Sequence, residues 1–136
     1  FKTSGGKYVA PQMIENLARA SQFIEQIMVV GEGEKMPAAL IQPDFNYAKN
    51  WAAKNNINIG TTEAEIAANP QLKAAIEAEI EHVNRHLGHW EQIKKIELTP
   101  ETWTDQNGLL TPTLKLKRKV IKERFENLYE NLYGKK

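Results

Sequence analysis

The chain has 136 residues, 41% of them apolar and 26% charged, which suits one globular domain able to bury a core of its own. Eighteen basic residues against seventeen acidic ones leave a formal charge of +1, which argues against whole-surface attraction to nucleic acid or an anionic membrane but not against a local patch. Cysteine is absent, which removes disulfides, thiolate chemistry and cysteine–zinc sites and fits a cytoplasmic location.

No apolar run reaches the roughly 18 residues of a membrane span, and the N-terminus lacks a signal-peptide pattern. The chain opens without Met, on Phe1-Lys2-Thr3-Ser4-Gly5-Gly6, and reads as a piece excised from a longer protein. Ser4-Gly5-Gly6 predicts a tight turn, since glycine takes positive φ without steric cost, and Lys7-Tyr8-Val9 continues it as a short extended stretch. Pro11 suits the first turn of a helix. Ile14, Leu17 and Ala18 recur at helical spacing, so a helix is expected over about 11–20.

Phe23 to Val30 and Met36 to Ile41 are apolar runs joined by Gly31-Glu32-Gly33-Glu34-Lys35, the pattern of a β-hairpin. Their near-continuous apolarity predicts burial on both faces. Asp44 is placed to cap a helix carrying Phe45, Ala48, Trp51 and Ala52. After a connection over 55–60, Thr61 or Thr62 can cap a short helix at about 63–68. Pro70 opens the next helix, where Leu72, Ile76, Ile80, Val83 and Leu87 form one stripe and Gly88 is a plausible stop. Ile93 to Leu98 alternates as a strand, 100–108 is a turn-rich loop, and Leu109 to Leu116 is extended. Lys117 to Tyr133 predicts a single final helix with Val120, Ile121, Phe125, Leu128 and Leu132 inward and Gly134 at its end. The sum is an α+β domain: a small central β-sheet of about three strands, flanking helices, and an N-terminal minor hairpin.

The segment Asn107-Gly108-Leu109-Leu110-Thr111-Pro112-Thr113-Leu114-Lys115-Leu116-Lys117-Arg118 is the most distinctive. Alternation would set the Lys115 side chain opposite Leu114 and Leu116. A lysine at such a loop tip can reach a neighbouring cleft, where its ammonium suits a phosphate or carboxylate; the plainer reading is a solvated basic helix start. The basic run through Lys119, Lys122 and Arg124 could grip nucleic acid, but Glu123 and Glu126 interrupt it, and no nucleic-acid partner is expected. His82, His86 and His89 read as a solvated cluster, because Val83 stands where a metalloprotease has glutamate, and no metal site is expected. Gly31-Glu32-Gly33 is a hairpin turn without the third glycine of a dinucleotide loop. Trp51, Trp90 and Trp103 suit packing or an interface.

Two of these segments carry a resemblance. Thr111-Pro112-Thr113-Leu114-Lys115 with Lys117-Arg118 resembles the C-terminal lysine motif of the adenylate-forming acyl-CoA synthetase superfamily, and most of all its long-chain fatty acid branch. Many superfamily members have glycine where this chain has Leu114, a departure that fits that branch. Lys2-Thr3-Ser4-Gly5, followed by Ile14-Glu15, resembles the segment just after the superfamily's interdomain hinge. The long helical stretch from Asp44 to Gly88 resembles an insertion of the long-chain enzymes.

The resemblance implies that residues 1–136 are the C-terminal lid domain of a long-chain fatty acid–CoA ligase, its partner being the enzyme's own N-terminal adenylation domain, absent from this chain. It implies that Lys115 is catalytic in forming acyl-AMP. Ser4, Gly5 and Gly6 would border the approach of the CoA pantetheine arm. ATP, Mg²⁺ and CoA would serve the full enzyme, with none bound tightly by this domain alone, and the isolated domain would be inactive. A cytoplasmic location follows, with any membrane association residing in the absent N-terminal domain. Two other readings stay open: a non-catalytic module gripping an anionic ligand or nucleic acid, and the lid of a superfamily ligase for another carboxylic acid.

Overall fold

Side chains alternate across a strand, and both faces of the strand pair β1 (Ile24–Val30) and β2 (Ala38–Pro43) are buried. Ile27, Val29, Ala39 and Ile41 enter one core, and Met28, Val30, Ala38 and Leu40 enter another. That double burial is why both runs are apolar almost without interruption. The computed structural model describes residues 1–134; Lys135 and Lys136, within the expected span of 1–136, lie outside the described residues. In it β1 pairs antiparallel with β2, in the register Ile27 to Ile41 and Val29 to Ala39. A short β3 (Ile96–Leu98) adds parallel to β2, giving the order β1-β2-β3. The fold is α+β, with a three-stranded sheet flanked by helices, and an N-terminal hairpin closes at the Lys2–Tyr8 antiparallel bridge.

The first core receives α1 (Pro11–Ala18), α2 (Phe45–Lys54), α3 (Glu63–Ala67) and α4 (Pro70–Asn84). The caps expected at Asp44 and at one of Thr61 and Thr62 are present, Asn69 is a further cap, and α1 starts on Pro11 without a side-chain cap. Asp44 Oδ1 accepts from the Tyr47 amide at 3.0 Å, and Asn69 Oδ1 from Leu72 at 2.9 Å. Of the two threonines, Thr62 is the cap of α3: its hydroxyl accepts from the Glu65 amide while the Glu65 carboxylate accepts from the Thr62 amide. Leu72, Ile76 and Ile80 of α4 are buried in this core, each stabilising it by about 1.5–3 kcal/mol. The second core is built on α5 (Arg118–Arg124), α6 (Glu126–Leu132) and the loop between β3 and α5, which supplies Trp103, Leu109 and Leu110.

Four expectations change. Helix α4 ends at Asn84 rather than near Gly88, because the Asn84 side chain binds both backbone groups of Ile93: Nδ2 donates to its carbonyl at 2.9 Å and Oδ1 accepts from its amide at 2.8 Å. The strand expected over 93–98 is shortened to Ile96–Leu98, since Ile93 is engaged by that asparagine instead. The stretch 109–116 is a tight turn closed by a Leu110–Leu116 bridge, not an extended run. The final helix is interrupted at Phe125 (φ −111°, ψ 36°). No Gly or Pro stands there. At the break the Phe125 ring stacks on Trp103 at 6.1 Å, and Ile121, Phe125, Tyr129 and Leu132 face inward while Val120 is exposed.

Candidate functional site

The loop carrying Lys115 is rigid at its base. Leu109 and Leu110 are buried in the second core. The Lys117 amide donates to the Leu109 carbonyl (3.0 Å), and the Thr111 amide to the Lys115 carbonyl (2.8 Å). The Thr111 hydroxyl accepts from the Lys115 amide at 3.0 Å and lies 3.1 Å from the Thr113 hydroxyl. These bonds explain the threonines in chemical terms: they close a turn too short for a regular ladder.

Leu114, at the tip, adopts φ +64°, a left-handed conformation costly for a side chain with a Cβ. The simple alternation expected around Lys115 does not hold there. Leu114 is 64% exposed rather than packed, and Lys115 is exposed beside it. Among the described residues the Lys115 ammonium has no hydrogen-bond or ion-pair partner. It borders a surface cleft of about 430 Å³ shared with Gln12, Glu15, Arg19, Glu25 and Arg118.

Arg118 opens α5 three residues after Lys115. A cation there opposes the helix dipole, and a carboxylate answers it. Glu15 of α1 takes Arg118 through both guanidinium ends, Nη2 to Oε1 at 2.7 Å and Nη1 to Oε2 at 2.8 Å. The Val29 amide of β1 donates to the same Oε2 at 2.8 Å. Glu15 is 1% exposed. Its two charge-assisted bonds raise the Arg118 guanidinium above its usual pKa, against the effect of burial.

Ser4-Gly5-Gly6 forms the N-terminal turn. The Gly6 amide donates to the Thr3 carbonyl and the Thr3 amide to the Lys7 carbonyl, both at 3.0 Å. The Ser4 amide reaches the Glu34 carbonyl at 2.8 Å, seating the turn on the β1–β2 connection. Gly6 has φ +83°, which accounts for a glycine there. Gly5 has no such conformation, and a Cβ added to it would meet nothing within 4 Å. Among the described residues no contact requires glycine at position 5.

Of the neighbouring basic residues some are engaged, while Lys117 and Lys119 are exposed like Lys115. Arg124 pairs with Glu101 at 2.6 Å, and the Lys122 ammonium lies 4.3 Å from the centre of the Tyr129 ring. His82 sits on α4 with its Nδ1 3.2 Å from an Arg85 nitrogen. Among the described residues no three His, Asp or Glu side chains are grouped to hold a metal ion, and no helix is long and apolar enough to cross a membrane. Trp103 is a core residue whose Nε1 donates to Thr99 at 2.9 Å; Trp90 is exposed, with the Lys7 ammonium 5.7 Å from its ring.

The Glu15–Arg118 pair is the feature that reading along the chain overlooks. A signal for it exists. Glu15 directly follows Ile14 and lies three residues before Ala18, so it falls beside the inward stripe of α1. A carboxylate so placed needs a cationic partner.

Comparison with known proteins adds sequence relatives and structural neighbours. Residues 2–136 match the family described as the AMP-binding enzyme C-terminal domain. A long-chain-fatty-acid–CoA ligase of Mycobacterium tuberculosis is 38% identical over 133 residues, covering 98% of this chain and 22% of that protein. Human long-chain-fatty-acid–CoA ligase 6 is 38% identical over 137 residues, covering 98% of this chain and 19% of its own length. The chain thus spans about a fifth of the length of the curated relatives it matches. Among solved structures, the adenylation domain of a Mycobacterium chelonae carboxylate reductase aligns with a TM-score of 0.78 at 23% identity, over 98% of this chain and 19% of that one, a likeness of fold. A Mycobacterium tuberculosis fatty acyl CoA synthetase aligns at 0.54 with 18% identity, over 91% of this chain and 19% of that one.

Proposed function

The chain belongs to the AMP-binding enzyme C-terminal domain family of adenylate-forming ligases, closely related to the fatty acyl-CoA ligases, and on that premise we propose that it is the lid of a long-chain fatty acid–CoA ligase. The lid would close on a preceding adenylation domain. The observation that carries this reading is the exposed, unpartnered Lys115 ammonium on a loop fixed at both ends. A cation on a braced surface loop, with no hydrogen-bond or ion-pair partner among the described residues, suits an anionic centre supplied from outside.

In the proposed reaction a fatty acid carboxylate oxygen bonds to the α-phosphorus of ATP. The bond from that phosphorus to the bridging oxygen breaks, pyrophosphate leaves, and acyl-AMP remains. Negative charge gathers on the oxygens around phosphorus, where Lys115 would stand. Mg²⁺ would offset charge on the same phosphates. Its ligands would come from the nucleotide and the preceding domain, since no metal-holding group occurs among the described residues.

A domain movement would then withdraw Lys115 and bring the Ser4-Gly5-Gly6 turn to the acyl-AMP. The CoA sulfur would bond to the acyl carbonyl carbon as AMP leaves. The open space around Gly5 supports this role, because a bare backbone there leaves room for a thin pantetheine chain. The identity to fatty acid–CoA ligases supports the fatty acid and CoA as substrates.

One observation favours a second reading. The backbone lies nearer to carboxylic acid reductase adenylation domains than to the fatty acyl CoA synthetase, which suits another acid or another thiol acceptor. An assay of the full-length protein separates the two. Long-chain acids with ATP and CoA should yield acyl-CoA, AMP and pyrophosphate in equal amounts, with turnover falling for short acids. Acyl-AMP formation without CoA-dependent release of AMP would overturn the first reading. The isolated chain should turn over none of these substrates.

A further inference from the structure

Glu15 contributes nothing to the surface and does not face the cleft as a free charge. Its carboxylate is buried and fully engaged: two bonds to Arg118 and one from the Val29 amide. The three elements so joined are the sheet, α1 and the exit of the Lys115 loop, 103 residues further along the chain. On its other side the loop is fixed by Leu109 and Leu110 in the second core. A lysine on an exposed turn keeps a defined position only if both flanks are held. The core and the turn's own backbone bonds hold the loop, and Glu15 adds a side-chain anchor at its exit, on Arg118.

We infer that Glu15 is a positioning residue for Lys115, acting through Arg118 to fix where the ammonium meets the reacting phosphate. This deepens the proposed function and rests on it. The bidentate geometry matters more than the charge: two parallel bonds fix the plane and direction of the guanidinium, and with it the first turn of α5. A misplacement of about 1 Å at a reacting centre can cost roughly 10²-fold in rate.

The pair would therefore act on one half-reaction only. Acyl-AMP formation needs Lys115 in place. Thioester formation from supplied acyl-AMP, with the lysine withdrawn, does not.

The test uses the full-length enzyme and measures both half-reactions separately. Glu15→Gln keeps the shape and an acceptor for Val29, and it should slow acyl-AMP formation by roughly 10- to 10²-fold, in kcat more than in KM. Thioester formation from added acyl-AMP should change less than about threefold. Glu15→Gln/Arg118→Met, which leaves no unpaired buried charge, should show the same selective loss and serves if the single variant folds poorly. Ile76→Val, in the opposite core, controls for lost stability and should affect neither half-reaction selectively. The deciding variant is Glu15→Gln in a Lys115→Ala background, where the Glu15 change should cost nothing further in acyl-AMP formation. An undiminished further loss there, or equal losses in both half-reactions, would overturn the inference. If Lys115→Ala itself spares acyl-AMP formation, the reading of the lid fails rather than the role of Glu15 alone.

Discussion

Glu15 and Arg118 hold each other through two bonds of 2.7 and 2.8 Å, yet they are unequally buried: the carboxylate is enclosed and the guanidinium reaches solvent. The asymmetry fixes the order of mutational costs. Arg118→Met strands a buried carboxylate and should destabilise the fold by about 3–5 kcal/mol. Glu15→Gln leaves an arginine that water can still reach, and should cost about 1–3 kcal/mol. The double change should cost less than Arg118→Met alone. Urea midpoints of the three variants check this order, and a costlier double variant would contradict it.

Leu114 pays a conformational cost at φ +64° and buries little in return. Leu114→Gly should stabilise the chain by about 0.5–1 kcal/mol, the relief of strain exceeding the added flexibility of the unfolded chain. Thermal unfolding measures this. A loss of stability would mean that the leucine packs more than its exposure indicates.

Gly5 gives the opposite kind of test. Gly5→Ala introduces no clash within the chain, so stability should hold or rise by about 0.4–1 kcal/mol. In the full-length enzyme the same change should slow thioester formation and spare acyl-AMP formation. A destabilised fold with both steps slowed alike would assign Gly5 a structural role instead.

Much of this fold is legible in the sequence because its signals are local. The α4 stripe and its opening at Pro70, the caps at Asp44 and Thr62, and the doubly buried β1 and β2 all follow from periodicity or from one residue's local habit. The rest is set by contacts remote in the chain. Nothing near Phe125 announces a helix break, and the residue it stacks on, Trp103, is remote in the chain. Gly88 looks like a helix stop, but the side chain of Asn84 ends α4 first. The lysine loop is legible in its residue types, while its anchor at Glu15 is visible only once α1 and α5 are brought together.

Asn84 makes a specific prediction from that account. Removing its amide leaves the Ile93 amide and carbonyl without their partners in a buried site. Asn84→Ala should cost about 2–4 kcal/mol, read from a urea titration. Asn84→Asp should also destabilise, since a carboxylate cannot donate to the Ile93 carbonyl.

Alkaline pH should loosen the second core. Tyr129 donates to Glu34 at 2.6 Å and Tyr133 to the Met36 carbonyl at 2.9 Å. Burial is the main cause in both, followed at Tyr129 by its hydrogen bond to Glu34 and nearby carboxylate charge, and at Tyr133 by Tyr129 and Glu34; both phenols are pushed above their usual value of 10.0. The unfolded chain therefore releases these protons first as pH rises. The stability they contribute is full below pH 10 and is lost progressively above it. Unfolding midpoints at about pH 8 and about pH 10.5 should differ, and Tyr129→Phe/Tyr133→Phe should shrink the difference. An unchanged difference would remove the phenols as its cause.

The most direct test of the lid reading compares the two half-reactions of the full-length enzyme carrying Lys115→Ala. Acyl-AMP formation from fatty acid and ATP should fall by roughly 10²-fold or more, while acyl-CoA formation from supplied acyl-AMP stays within a few-fold of the unaltered enzyme. Equal loss in both steps, or an undisturbed first step, would contradict the assignment of this ammonium to the adenylation chemistry.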